Sequence, residues 1–148
     1  MSETMKSMGG VSVTALTAGT TSLTIKAGDL TKTIPVTVKR NYLPESPEGT
    51  RNGVTLKREG GGVTITGQTP TQFTAWEVDF TLEAGRYLLD GDGLFVKISP
   101  KGSNAGVLDT RHTLEKTLEA GEYTMSIGLT ANQTVPTGVR HPYLEKLD

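Results

Sequence analysis

The feature that most limits what this chain can fold into is a hydrophobic period of two. Val11, Val13 and Ala15 alternate with Ser12 and Thr14; Ile34, Val36 and Val38 alternate with Pro35, Thr37 and Lys39; Trp76, Val78, Phe80 and Leu82 alternate with Glu77, Asp79 and Thr81. Successive side chains of a strand point to opposite faces, so each run can bury one face and wet the other. No window sustains the i, i+3, i+4, i+7 spacing of a helix through several turns, and the expectation is an all-β protein.

Turn residues divide these runs. Up to Tyr42 three short strands are predicted, at residues 11–15, around Leu23 and Ile25, and at 34–38. Ala18-Gly19-Thr20 and Ala27-Gly28-Asp29 are the expected turns, since glycine reaches positive φ without a Cβ clash. Pro35 cannot donate to a ladder and is expected at an edge or bulge. Residues 42–52, with Pro44, Pro47 and Gly49, read as a connector, which gives an N-terminal β arm (1–41), a linker (42–52) and a main domain (53–148).

In the main domain, strands are predicted at 54–56 and 63–65, as a hairpin around Gly60-Gly61-Gly62, then at 73–82, 86–89, 94–98, 112–118, 123–129 and 139–144. Many short strands with regular turn signals predict an antiparallel β-sandwich or jelly roll. One heptapeptide pattern occurs twice: Thr81-Leu82-Glu83-Ala84-Gly85-Arg86-Tyr87 and Thr117-Leu118-Glu119-Ala120-Gly121-Glu122-Tyr123, with Leu16-Thr17-Ala18-Gly19 as a weaker third copy. In each, an apolar residue ends one strand, Ala-Gly turns the chain, and the next aromatic or apolar residue re-enters the core. Two copies are too few for a solenoid.

At 148 residues the chain can bury roughly 70% of its unfolded surface and needs neither metal nor disulfide to fold. With no cysteine, thiolate catalysis, cysteine-ligated zinc and disulfide scaffolding are excluded. The first ten residues contain no apolar stretch of signal-peptide length, and the expectation is a protein made and assembled in the cytoplasm. A net charge of -1 provides no overall field to draw nucleic acid or anionic lipid, so neither is expected as a partner. The charge is uneven: Lys6, Lys26, Lys32, Lys39 and Arg40 face only Glu3 and Asp29 up to Tyr42. This basic arm reads first as a solvated strand face, and Lys26, Lys32, Lys39 and Arg40 become candidates for contact with an acidic protein partner.

Three strands bury too little apolar area to offset their ordering entropy, so the arm is expected to dock on the main domain, a neighbouring subunit or a larger structure. Unpaired edges suit strand addition between chains.

Catalytic signatures are absent. His112 and His141 are the only histidines, and no nucleophile elbow, His-Glu-x-x-His pair or phosphate-cradling loop occurs; Gly60-Gly61-Gly62 lacks both the lysine and the helix that such a loop requires. Glu77 and Asp79 share a wet strand face where both stay ionised, so no acid–base pair is expected there. Asp90-Gly91-Asp92-Gly93 opens like a calcium loop, yet Leu94 and Phe95 stand where oxygen ligands belong and Lys101 where the bidentate Glu does, so a β-turn is expected. The expectation is a non-enzymatic protein without cofactor or metal. Among aromatics, Trp76 and Tyr123 share core parity, whereas Phe95 has the opposite parity to Leu94, Val96 and Ile98; it is the expected exposed aromatic, with Tyr143 and His141 as weaker ligand candidates.

Residues 11–40, with Leu16-Thr17-Ala18-Gly19-Thr20, Leu23-Thr24-Ile25 and Ile34-Pro35-Val36-Thr37-Val38, resemble the C-terminal half of a bacterial immunoglobulin-like (BIG2-type) domain. Residues 41–145 are similar to the carbohydrate-binding-type jelly rolls of bacteriophage tail and other virion proteins, through Asn52-Gly53-Val54-Thr55, Gly62-Val63-Thr64-Ile65-Thr66-Gly67, the two Leu-Glu-Ala-Gly corners and Pro142-Tyr143-Leu144-Glu145-Lys146. These resemblances imply a virion surface protein that decorates a capsid or tail, with other virion proteins as partners, homo-oligomers on the particle and host glycan as a possible ligand. A carbohydrate- or receptor-binding adhesion module is the alternative. Fold-level likeness carries no binding residues with it.

Overall fold

The computed structural model describes residues 19–147, and all regular structure among them is β-strand. The chain forms two compact units, Met1–Arg40 and Asn41–Asp148.

In the first unit, β1 (Gly19–Ala27) and β2 (Leu30–Val38) pair antiparallel, from Ala27 opposite Leu30 to Gly19 opposite Val38. The two-residue turn is Gly28-Asp29, with φ of 60° at Gly28. Register sorts the side chains cleanly. Leu23, Ile25, Leu30, Ile34, Val36 and Val38 share one face with Lys32, while Thr20, Ser22, Thr24, Thr31, Thr33 and Thr37 share the other with Lys26. On the apolar face Leu30 is 76% exposed and Ile34 36%, while Leu23, Ile25, Val36 and Val38 are half-buried. Pro35 lies opposite Ser22 in this two-stranded ribbon, where an outward edge makes its missing N–H harmless. The strand expected at 11–15, and most of the third corner copy, fall outside the described residues. Gly19-Thr20 is not a turn but the start of β1, because both residues pair with the end of β2.

The second unit contains β3 (Gly49–Arg51), β4 (Val54–Glu59), β5 (Gly62–Gly67), β6 (Thr74–Leu82), β7 (Gly85–Asp90), β8 (Phe95–Pro100), β9 (Leu108–Asp109), β10 (Glu115–Leu118), β11 (Gly121–Leu129) and β12 (Tyr143–Lys146). They form three antiparallel sheets, in the orders β3-β4-β5, β6-β11-β8-β9 and β10-β7-β12. All three contribute to one core: Leu56 and Ile65 from the first, Trp76, Ile98 and Ile127 from the second, Tyr87, Leu89 and Leu144 from the third. The architecture is the β-sandwich-like packing of antiparallel sheets that the alternation predicts.

Residues 42–52 are not a free connector. Tyr42 donates its N–H to the Leu144 carbonyl at 2.9 Å and packs edge-on against Tyr87. The Asn41 side chain accepts from the N–H groups of Leu43 and Leu144 and donates to the Pro142 carbonyl. Glu45 and Glu48 both pair with Arg58. Gly49–Arg51 forms a strand joined to β4 through Asn52-Gly53, whose positive φ values of 50° and 75° give the I′ type of hairpin turn. The Pro-rich composition marks irregular backbone, but that backbone is bonded into the sandwich.

The sequence echo turns out to be a reciprocal pair of corners. The first carries the chain from β6 to β7, the second from β10 to β11. Leu82 lies opposite Gly121 and Leu118 opposite Gly85, so each corner's outgoing strand pairs with the other's incoming strand. Tyr87 donates its hydroxyl to the Glu83 carbonyl at 2.8 Å, and Tyr123 does the same to Glu119 at 2.7 Å. Both rings are buried, so each repeat is a tyrosine corner that fixes where the chain changes sheets.

Candidate functional site

The described residues of the second unit line three concavities, one on a sheet face, one at a loop end, and one of about 470 Å³ between the segments 41–46 and 58–63. The first lies on the outer face of β6, β11 and β8. In antiparallel register, Glu77, Ser126 and Lys97 form one rung, and Asp79, Thr124 and Ser99 the next. Their strand neighbours Trp76, Ile127, Val96 and Ile98 turn into the core, which leaves these polar side chains on the outer face. Glu77, Lys97, Ser99, Thr124 and Ser126, together with Gly102, Ser103 and Asn104 of the loop after β8, line a cleft of about 200 Å³, and Asp79 lies outside that lining.

Hydrogen bonding along the rungs is incomplete. Thr124 donates to Asp79 at 2.6 Å and Ser126 to Glu77 at 3.2 Å, while the Lys97 ammonium donates to the Asn104 carbonyl at 3.3 Å. Ser99 is only 2% exposed, and its hydroxyl has no hydrogen-bond partner. At the rim, Lys101 lies 3.2 Å from Glu122 and 3.6 Å from Asp79, and these carboxylates, Glu122 foremost, hold its pKa above the usual lysine value.

The second concavity, about 580 Å³, is formed by loops at one end of the sandwich. Phe95 lines it, but it is 3% exposed and not the open platform that its parity suggests. Its face assignment is correct, since Val96 and Ile98 point into the core. However, the half-exposed Phe73 packs edge-on against it at 4.8 Å and the Arg111 guanidinium covers it at 4.9 Å from the ring centre. Arg111 is held in turn by two hydrogen bonds to buried Asp109, at 2.9 and 2.6 Å. That pairing keeps the Asp109 carboxyl below its usual pKa and raises Arg111. Outer parity meant exposure only until residues distant in sequence covered the ring.

Asp90-Gly91-Asp92-Gly93 is a turn. Asp90 accepts the Asp92 N–H at 2.8 Å, and Asp92 accepts the His141 N–H at 2.8 Å, so both carboxylates bond backbone. Among the described residues, no group of three or more His, Asp or Glu is placed to hold a metal ion. His141 is exposed and follows the bridge between Val63 and Arg140; Tyr143 is half-buried and opposite Asp90 in the pairing of β12 with β7. Lys26 and Lys32 project from opposite faces of the hairpin, and with Lys39 and Arg40 all four basic candidates are exposed.

Sequence reasoning found Glu77 and Asp79 as a wet pair but missed Lys97, Ser99, Thr124 and Ser126. The signal was available: Lys97 and Ser99 alternate with Val96 and Ile98, and Thr124 and Ser126 with Met125 and Ile127. Only register shows that the three polar rows meet.

Among the described residues, no helix is long and apolar enough to cross a membrane. Comparison of the chain with family models, with curated proteins and with solved structures finds no match. The fold defines a small all-β protein of several packed antiparallel sheets.

Proposed function

We propose that this chain is a non-enzymatic bacteriophage virion surface protein that decorates the capsid or tail through its N-terminal arm and displays the β-sandwich outward. The observation that carries this reading is the hairpin of β1 and β2, whose one face gathers Leu23, Ile25, Leu30, Ile34, Val36 and Val38 and leaves Leu30 and Ile34 exposed, in a unit distinct from the sandwich. Exposed apolar side chains on a β-ribbon gain by adding to another chain's sheet. The occupant is a strand edge of a capsid or tail subunit. Lys26, Lys32, Lys39 and Arg40 bias the arm toward an acidic neighbour, and repeated subunits on a particle place several copies of this chain side by side. The resemblance of residues 11–40 to half an immunoglobulin-like domain supports the same reading, since half a sandwich is completed by a partner.

Co-sedimentation with purified particles tests this on the full chain. Ile34→Glu places a charge in the middle of the apolar face and is expected to weaken particle binding at least tenfold while the melting temperature of the sandwich stays within 2 °C, as roughly expected for a surface change. Undiminished binding of Ile34→Glu and of a chain lacking residues 1–40 would remove the arm from attachment.

The adhesion reading based on Phe95 loses its platform, because that ring is covered. Contact with a polyhydroxylated ligand has support elsewhere on the sandwich.

A further inference from the structure

We propose that the cleft across β6, β11 and β8 binds a single polyhydroxylated unit, a sugar ring or a polyol of glycerol size. This goes beyond attachment: the site belongs wholly to the second unit and uses no residue of the arm.

The argument begins with Ser99. A hydroxyl removed from water normally finds a partner, because an unmade hydrogen bond leaves the full desolvation cost standing. Ser99 is 98% buried by its 2% exposure, lines the cleft, and has none. Thr124 in its own rung donates to Asp79 and Ser126 in the next to Glu77, and neither hydroxyl lies within hydrogen-bonding geometry of Ser99.

The chemistry around it selects the ligand class. An ionised carboxylate has about four acceptor positions, and Glu77, the carboxylate that lines the cleft, shows one side-chain hydroxyl donor, so it retains capacity to accept. The Lys97 ammonium gives one hydrogen to Asn104 and keeps the capacity to donate. An anion would meet the Glu77 carboxylate, and a metal cation would meet Lys97. A neutral polyol has vicinal hydroxyls that donate and accept together, which is what a face of one carboxylate, several hydroxyls and one ammonium requires. At about 200 Å³ the cleft has room for several waters, each with a liquid volume of about 30 Å³, and so for something on the scale of one sugar ring. None of its lining residues is aromatic, so binding rests on hydrogen bonds alone and a millimolar dissociation constant is expected.

Amide NMR of the full chain tests this, with glycerol, glucose, galactose and N-acetylglucosamine titrated separately and calcium chloride as a fifth probe. Saturable shifts confined to residues 77, 97–104, 124 and 126 with at least one polyol are expected. Glu77→Gln and Ser99→Ala should each weaken that binding at least fivefold. Ser99→Ala should do so without lowering the melting temperature, since in the free protein its hydroxyl bonds nothing. Absence of saturable shifts with all four polyols overturns the proposal, as do shifts that both variants leave intact, or shifts at these amides with calcium alone. Particle co-sedimentation reads the arm, so failure of either proposal is visible without the other.

Discussion

Asp109 is a buried carboxylate whose charge is matched within two residues of chain. It accepts the Arg111 backbone N–H at 2.9 Å and both arms of the guanidinium, with His112 at 3.5 Å. The side-chain hydrogen bonds from Arg111 are the main reason its pKa is lowered, and burial opposes them. A carboxyl with a lower pKa folded than unfolded contributes stability that is fully present above the unfolded value of about 3.9 and is lost as pH falls through the folded value. Urea unfolding should therefore show stability dropping below about pH 4, with a shallower drop in Asp109→Asn. At neutral pH the same variant should be about 2 kcal/mol less stable, the scale of a lost charge-assisted hydrogen bond in a buried site. An unchanged acid slope in Asp109→Asn would remove this residue from the acid response. The same ion pair explains the failed expectation for Phe95: Arg111 is oriented by Asp109 and sits over the ring, 4.9 Å from its centre, a relation that alternation within β8 does not contain.

Among elements, the reciprocal corners organise the sandwich. β6 and β11 pair along nine residues, and β7 and β10 along four, because the two corners exchange partners at Leu82 with Gly121 and at Leu118 with Gly85. Tyr87→Phe and Tyr123→Phe each remove the hydroxyl that satisfies a corner carbonyl and should cost about 1–2 kcal/mol in denaturant unfolding. A cost near zero for both would reduce the corners to sequence coincidence. Burial, with Glu119 as a lesser cause, raises the Tyr123 pKa, so that phenol should ionise later than free tyrosine in an alkaline absorbance titration. The repeat was legible in sequence as paired corners; the hydrogen bond and the partner exchange were not, since both depend on three-dimensional closure. The strand β3 was missed although Asn52-Gly53 is a strong hairpin signal, because the prolines at 44 and 47 made the whole stretch read as a connector. Those prolines describe only the chain before Gly49.

Among the described residues of the whole molecule, every residue of the buried core lies between Val54 and Leu144, and the partly buried residues packed on it begin at Tyr42, so all of them belong to the second unit. A fragment of residues 41–148 should unfold in one cooperative transition with a midpoint within about 2 °C of the full chain, by calorimetry or circular dichroism, since it keeps every described residue of that core. A midpoint several degrees lower would mean that the arm is part of the sandwich's stability. Attachment by the arm and ligand contact by the cleft are physically separable roles under this division.

The sequence by itself determined the class: alternation with period two, short strands and turn residues at regular intervals leave no other way to bury Trp76, Ile98 and Ile127 together. It also determined which side of each strand would be wet, because a side chain's face is a property of its own strand. Tertiary structure alone decided which wet residues became neighbours and which outer residues were covered. Glu77, Ser126 and Lys97 are 20 to 49 residues apart in the chain and meet through strand register, and Phe95 is closed off by Phe73 and Arg111 from other loops. Local pattern specifies direction, whereas proximity between distant segments is set only when the sheets pair and pack.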